Sequence, residues 1–151
     1  MDIYRTTAIQ PNKEDLGHGD KLLPLATYHC VIPTAQFPTL PPHWHSEFEI
    51  NYIREGSAEF ICGEDKFTSA KGDIIITQPN VMHSIYPCAR TSHVYDTLVF
   101  SSEIFGSSES DSYMIECIRP LTDGSMRITT HITPKHHYYA ELAVTAENIF
   151  T

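Results

Sequence analysis

From Glu47 to Phe100 the chain never runs far without a turn. The segments EFEINYIRE, SAEFIC, KFTSA, DIIIT, VMHSIY and SHVYDTLVF are separated by Glu55-Gly56, Gly63 to Asp65, Ala70 to Gly72, Gln78-Pro79-Asn80 and Pro87. Short runs rich in β-branched and aromatic residues, with no helical stretch among them, predict a mainly β domain, either a sandwich or a barrel. Upstream, LLPLATYHCVI reads as a further strand with Pro24 near its start, and Pro33, Pro38, Pro41 and Pro42 mark a loop into the segment HWH.

The alternation also says which side of a strand needs cover. Phe48, Ile50 and Tyr52 are apolar on one side of their strand, and Glu47, Glu49 and Asn51 are polar on the other. If the polar side faces a barrel interior, the apolar side must be covered from outside by the N-terminal segment, a helix or a partner subunit. Burial of each such side chain stabilises by roughly 1.5–3 kcal/mol. SHVYDTLVF divides the same way, with His93, Tyr95 and Thr97 on one side and Val94, Leu98 and Phe100 on the other. His93, Tyr95 and Thr97 are therefore candidates for the wall of a ligand pocket, or for an ordinary solvent-facing side.

Chemistry-bearing residues concentrate between Pro41 and His83. In PPHWHSEFEINYIREG, His43, His45 and Glu49 share one parity, and His83 supplies a third imidazole after the GDIIITQPN run. Three imidazoles and one carboxylate suit a divalent transition metal such as Zn, Ni, Fe or Mn. The joint pattern resembles the two motifs of the cupin superfamily. The first, G(x)5HxH(x)3–4E(x)6G, is matched by His43, His45, Glu49 and Gly56; the second, G(x)5PxG(x)2H(x)3N, by Gly72 and His83.

Departures from those motifs fall outside the four metal positions. Phe37 stands where the first motif opens with glycine, the second motif's proline is displaced to Pro79, Asn80 replaces its internal glycine and Pro87 its final asparagine. Asparagine tolerates the left-handed backbone of a turn glycine, so Asn80 keeps the turn feasible. The resemblance implies a cupin double-stranded β-helix, a jelly-roll barrel.

The 151 residues allow one compact domain. A formal net charge of −9 argues against direct grip on a nucleic-acid backbone. No apolar run approaches bilayer length and the N-terminus lacks a signal-peptide pattern, which predicts a cytoplasmic protein without membrane contact. Cys30, Cys62, Cys88 and Cys117 show no CxxC spacing and read as buried free thiols.

Residues 1–20 are polar and read as an N-terminal arm. Residues 21–132 form the expected barrel, with a short helical insertion around 110–120 that Asp111 caps and Pro120 ends. LTDG reads as a turn and MRITTHI as a further strand. Thr133 and Pro134 read as the N-cap and first position of a helix over 133–151, in which Tyr138, Leu142, Ala146, Ile149 and Phe150 form an apolar stripe.

The order of proline-rich lead-in, HWH, E-I-x-Y-I-x-x-G, GD with an aliphatic run, P-x-x-x-H and an ITP-type helix start resembles the N-terminal effector-binding domain of AraC-type transcriptional regulators, from about Leu22 onward. That resemblance implies a barrel that binds a small-molecule effector, commonly a carbohydrate or related metabolite. It also implies helices that form a homodimer, here through Leu142, Ala146 and Ile149, and a helix-turn-helix DNA-binding domain that lies outside this chain. Two functions follow as expectations. One is an effector sensor without catalysis; the other is a small metal-dependent cupin enzyme, a dioxygenase or isomerase. The four metal positions favour the second and the motif order favours the first.

Overall fold

The computed structural model describes residues 12–14, 17–19, 22–33, 40–88, 92–106 and 111–151. Most of the expected arm, Phe37 and the Ser-rich residues 107–110 lie outside them. Nine strands form two antiparallel sheets among the described residues: β1 (Leu25–Ile32), β2 (Leu40–His43), β3 (Phe48–Glu55), β4 (Ala58–Cys62), β5 (Asp65–Thr68), β6 (Ile74–Thr77), β7 (His83–Pro87), β8 (His93–Phe100) and β9 (His131–Ile132). The larger sheet has the order β1-β8-β3-β6-β9 and the smaller β2-β7-β4-β5. From β1 to β8 successive strands alternate between the sheets except at the β4–β5 hairpin, and β9 then returns to the larger sheet beside β6, which is the jelly-roll winding of a cupin barrel.

The turns are built as their residues require. Gly56 closes the β3–β4 turn at φ +74°, and a Cβ there would stand 2.1 Å from the Ser92 carbonyl oxygen. Asn80 occupies the left-handed region at φ 64°, and its N–H donates to the His45 carbonyl at 2.7 Å. The exchange for glycine thus keeps the turn and ties it to a candidate ligand.

Inside the barrel, Ile32, Ile53, Ala58, Phe60, Cys62, Ile75, Ile85 and Tyr95 form one apolar cluster. Outside it, the exposed-by-parity stripe of β3 is covered. Tyr52, Ile74 and Ile132 pack with Ala146, and Ile50, Leu142 and Phe150 join them, so a C-terminal helix, α2 (Tyr139–Phe150), lies over the larger sheet. Phe48 stacks on Phe100 at 5.2 Å, and Phe105 of the 3-10 turn Ser102–Phe105 covers Phe100 edge-on.

Three local expectations change. The helix does not start at Thr133: His136 N–H donates to the Thr133 carbonyl and Tyr139 N–H to that of His136, so hydrogen-bonded turns carry the chain from β9 before α2 begins. Pro120 does not end the insertion. Asp111 does cap it, its carboxylate accepting from Tyr113 N–H at 2.9 Å. A π turn, Met114–Ile118, then widens the helix and passes into α1 (Arg119–Thr122), where Pro120 needs no donor near the start. MRITTHI is a strand only at His131–Ile132, because Gln78 takes over its backbone pairing, accepting from Ile128 N–H and donating to the Leu121 and Met126 carbonyls.

All four cysteines are free, but only Cys62 is fully buried, and Cys117 is exposed. No helix among the described residues is long and apolar enough to cross a membrane.

Candidate metal centre and adjoining pocket

The four sequence-predicted metal positions converge at one end of the barrel, although not from one strand. His43 ends β2, His45 lies in the crossing between the sheets, Glu49 is in β3 and His83 opens β7 opposite His43. Shared parity therefore does not explain the convergence; the passage of the chain from the small sheet to the large one at residues 44–47 does. One donor atom from each of the four residues lies within 4.8 Å of the others.

Each histidine is oriented by its own backbone. Nδ1–H donates to the Pro41 carbonyl in His43 (2.9 Å), to the Glu47 carbonyl in His45 (3.2 Å) and to the Val81 carbonyl in His83 (2.9 Å). A carbonyl can only accept, so Nδ1 carries the proton and Nε2 is left to face the centre. His45 Nε2 meets Glu49 Oε2 at 3.1 Å. His83 Nε2 is buried without a hydrogen-bond partner, 3.6 Å from the same oxygen.

Electrostatics follow from this packing. Burial pushes the Glu49 carboxyl up, but facing His83 and His45 outweigh that and hold it well below the usual carboxylate range. His45 is pulled down by burial and raised by more through Glu49, so its net shift is upward. Burial, reinforced by His83, lowers His43 to about 4. A divalent cation fits this donor set: it satisfies the orphaned Nε2 of His83, replaces the His45 proton and finds a charged carboxylate in Glu49. Such an ion supplies Lewis acidity to an oxygen-bearing molecule beside it.

A chain of hydrogen bonds reaches from Glu49 into the barrel. Asn51 Nδ2 donates to Glu49 Oε1 at 2.7 Å, and the Thr97 hydroxyl donates to Asn51 Oδ1 at 2.6 Å. Asn51 is two residues beyond Glu49 on the same face, a parity signal that marks it in the sequence.

Thr97 also lines a pocket of about 400 Å³ that includes His43 and Glu49. Ile32, Leu40, Tyr95 and Val99 give it an apolar wall, and Glu14 and His18 of the N-terminal segment give it polar cover. His18 Nδ1 pairs with the Tyr28 hydroxyl at 2.8 Å. Of the three expected wall residues, Tyr95 and Thr97 line this pocket. His93 does not; it is 0% exposed beside Phe60 and Tyr95, with neither ring nitrogen paired, and burial lowers its pKa to about 4. Leu142 and Ala146, expected at a dimer contact, pack on the chain's own sheet, while Ile149 is exposed. Glu14 and His18 carry no local pattern that marks them in the sequence.

The winding defines a cupin-type barrel, with His43, His45, Glu49 and His83 clustered at one end as a candidate donor set. Residues 32–115 match the family model described as the AraC-like ligand binding domain, and the chain belongs to that family. No curated protein matches the chain. Solved structures similar to it include a predicted oxalate decarboxylase from Thermotoga maritima, 23% identical over 50% of this chain and 64% of that one, with a TM-score of 0.45. A Cupin 2 conserved barrel domain protein from Salinispora arenicola is 17% identical over 53% and 66%, with a TM-score of 0.46. A salicylate 1,2-dioxygenase from Pseudaminobacter salicylatoxidans is 17% identical over 50% and 22%, with a TM-score of 0.46. The chain thus spans less than two thirds of the first two.

Proposed function

We propose that this domain senses a small-molecule effector for an AraC-type transcriptional regulator, and that the effector binds in the pocket beside a divalent metal held by His43, His45, Glu49 and His83. The observation that carries this reading is the continuity of pocket and centre: Thr97 on the pocket wall is hydrogen-bonded through Asn51 to Glu49. A ligand that engages Thr97 competes for or reinforces a hydrogen bond that orients a metal-binding carboxylate.

The pocket favours a molecule with an oxygen-bearing end toward the centre and an apolar side against Ile32, Leu40, Tyr95 and Val99. A carbohydrate meets that requirement through the apolar face of its ring. Allostery then requires that the effector bind one arrangement of the regulator better than another. In this reading the regulator dimerises, with exposed Val144 and Ile149 of α2 as the available apolar side chains, and DNA is bound by a separate domain.

A second reading has one specific observation in its favour. A sensor that only binds has no need of a complete donor set, and the tetrad is complete. A native mass spectrum of the isolated protein distinguishes the two. Retention of one metal and one intact small molecule, recovered unchanged after incubation, supports the sensor. Conversion of that molecule by the metal-loaded protein overturns it in favour of a metal-dependent enzyme.

A further inference from the structure

One carboxylate near the tetrad comes from a distant part of the chain. Glu14 N–H donates to the Trp44 carbonyl at 2.8 Å, and Trp44 N–H donates to the Asn12 carbonyl at 2.9 Å, with Lys13 and Trp44 in a parallel bridge. The Lys13 ammonium lies 5.5 Å from the centroid of the Trp44 ring. Trp44 stands between His43 and His45, so this short ladder sets the N-terminal segment against the backbone that carries two of the metal positions.

The Glu14 side chain is turned inward. Its Oε2 lies 3.7 Å from His43 Nε2, and the side chain is 21% exposed. Two donors that each stand about 2.0–2.2 Å from one ion are at most about 4.4 Å apart. The Glu14–His43 separation is within that limit, as are His45–Glu49 at 3.1 Å and His83–Glu49 at 3.6 Å. Glu14 stands outside the four residues whose donors all lie within 4.8 Å of one another, so sharing their ion requires its carboxylate to swing inward from the His43 side.

We propose that Glu14 is a fifth protein donor to the metal centre, so that metal binding pins the N-terminal segment beside the pocket. The inference rests on metal binding by the tetrad and adds a residue that neither motif contains. His18 gives the segment a second anchor through Tyr28, and both Glu14 and His18 line the pocket. Metal occupancy and docking of the segment are then thermodynamically linked, each strengthening the other. A second carboxylate also makes the donor set richer in oxygen, which suits Mn²⁺ or Fe²⁺ better than the tetrad alone does.

The chain contains a single tryptophan, and it is the one on this ladder. Its fluorescence and amide hydrogen exchange therefore report docking without any assay of activity. Titration of the full chain with Mn²⁺ or Zn²⁺ alone should change Trp44 emission and slow exchange at the amide of Glu14. In Glu14→Gln the metal should bind about 10-fold or more weakly, and the metal-dependent protection should be lost. Glu64→Gln, which removes a carboxylate of the same charge from an exposed turn that contributes no donor to the centre, should retain the wild-type response.

Wild-type affinity and protection in Glu14→Gln, with binding abolished in His83→Ala, would overturn the role of Glu14 and leave the tetrad standing. A wild-type chain that binds neither ion, and so behaves as His83→Ala does, would overturn both.

Discussion

The two ends of the barrel interior each bury a histidine with an unpaired ring nitrogen, and the two have opposite consequences. His83 opens β7 at the end where Glu49, Thr77 and Cys62 face inward; His93 opens β8 at the other end, opposite Ile32. Around His83 stand two more imidazoles and an ionised carboxylate. Around His93 stand Phe60 and Tyr95. A buried orphan in charged company is half of an ion-binding site; the same orphan among hydrocarbon groups is a cost to the fold.

The same substitution, histidine to leucine, made at each end tests that contrast. His83→Leu removes a donor, and metal affinity should fall by roughly 100-fold or more, with some loss of metal-free stability because Glu49 keeps only His45 of the two imidazoles that offset its burial. Metal content after dialysis and thermal melts with and without Mn²⁺ measure the two quantities. Wild-type protein at 100 times its dissociation constant should gain about 2.7 kcal/mol from the ion, and the variant almost none. Retained affinity in His83→Leu would show that the cluster is an internal hydrogen-bond network and not a metal centre.

His93→Leu should do the reverse, leaving metal affinity unchanged, relieving the cost of the buried orphan and blunting the response to acid. The folded pKa of His93 is depressed to about 4 from an ordinary 6.5, so the unfolded chain binds the extra proton first. Stability is therefore full above pH 6.5 and is lost as pH falls toward 4, by about 3 kcal/mol from this residue. His43, also held near 4, contributes in the same window in metal-free protein and remains in the variant. The difference between the two denaturation curves isolates His93. Equal acid sensitivity in both proteins would mean that His93 finds a partner on protonation.

The contrast also separates what the sequence makes legible from what it hides. The mainly β architecture is readable because each strand is short, alternating and bounded by turn residues; the jelly-roll winding follows only from the resemblance to the cupin motifs, whose local spacing also marks the tetrad. His93 shares parity with Tyr95 and Thr97, but parity assigns only a face and says nothing of depth along the barrel. Leu142 and Ala146 show an apolar stripe without showing whether sheet or partner covers it. The start of α2 was misplaced because turns at His136 and Tyr139 satisfy the same backbone donors a helix would. Glu14 reaches the centre through pairing across roughly thirty residues, for which no local pattern exists.

The smallest expected effect lies between the two ends, at Thr97. On the inward face of β8, His93, Tyr95, Thr97 and Val99 run from the hydrocarbon end to the centre, and Thr97 is where polar order begins. Its hydroxyl fixes the Asn51 amide with the oxygen toward β8 and the NH₂ toward Glu49. Thr97→Val keeps the shape and removes the donor, leaving Asn51 Oδ1 buried without a partner at a cost of about 1 kcal/mol. For a chain of this size that lowers the melting temperature by roughly 2–4 °C. Because Asn51 orients Glu49, metal affinity should also fall, by up to about 10-fold. Calorimetric titration of metal into both proteins separates the two effects. A lowered melting temperature with unchanged affinity would confine Thr97 to packing and sever the pocket from the centre, whereas a joint loss would show that a ligand on the pocket wall acts on the Glu49 carboxylate.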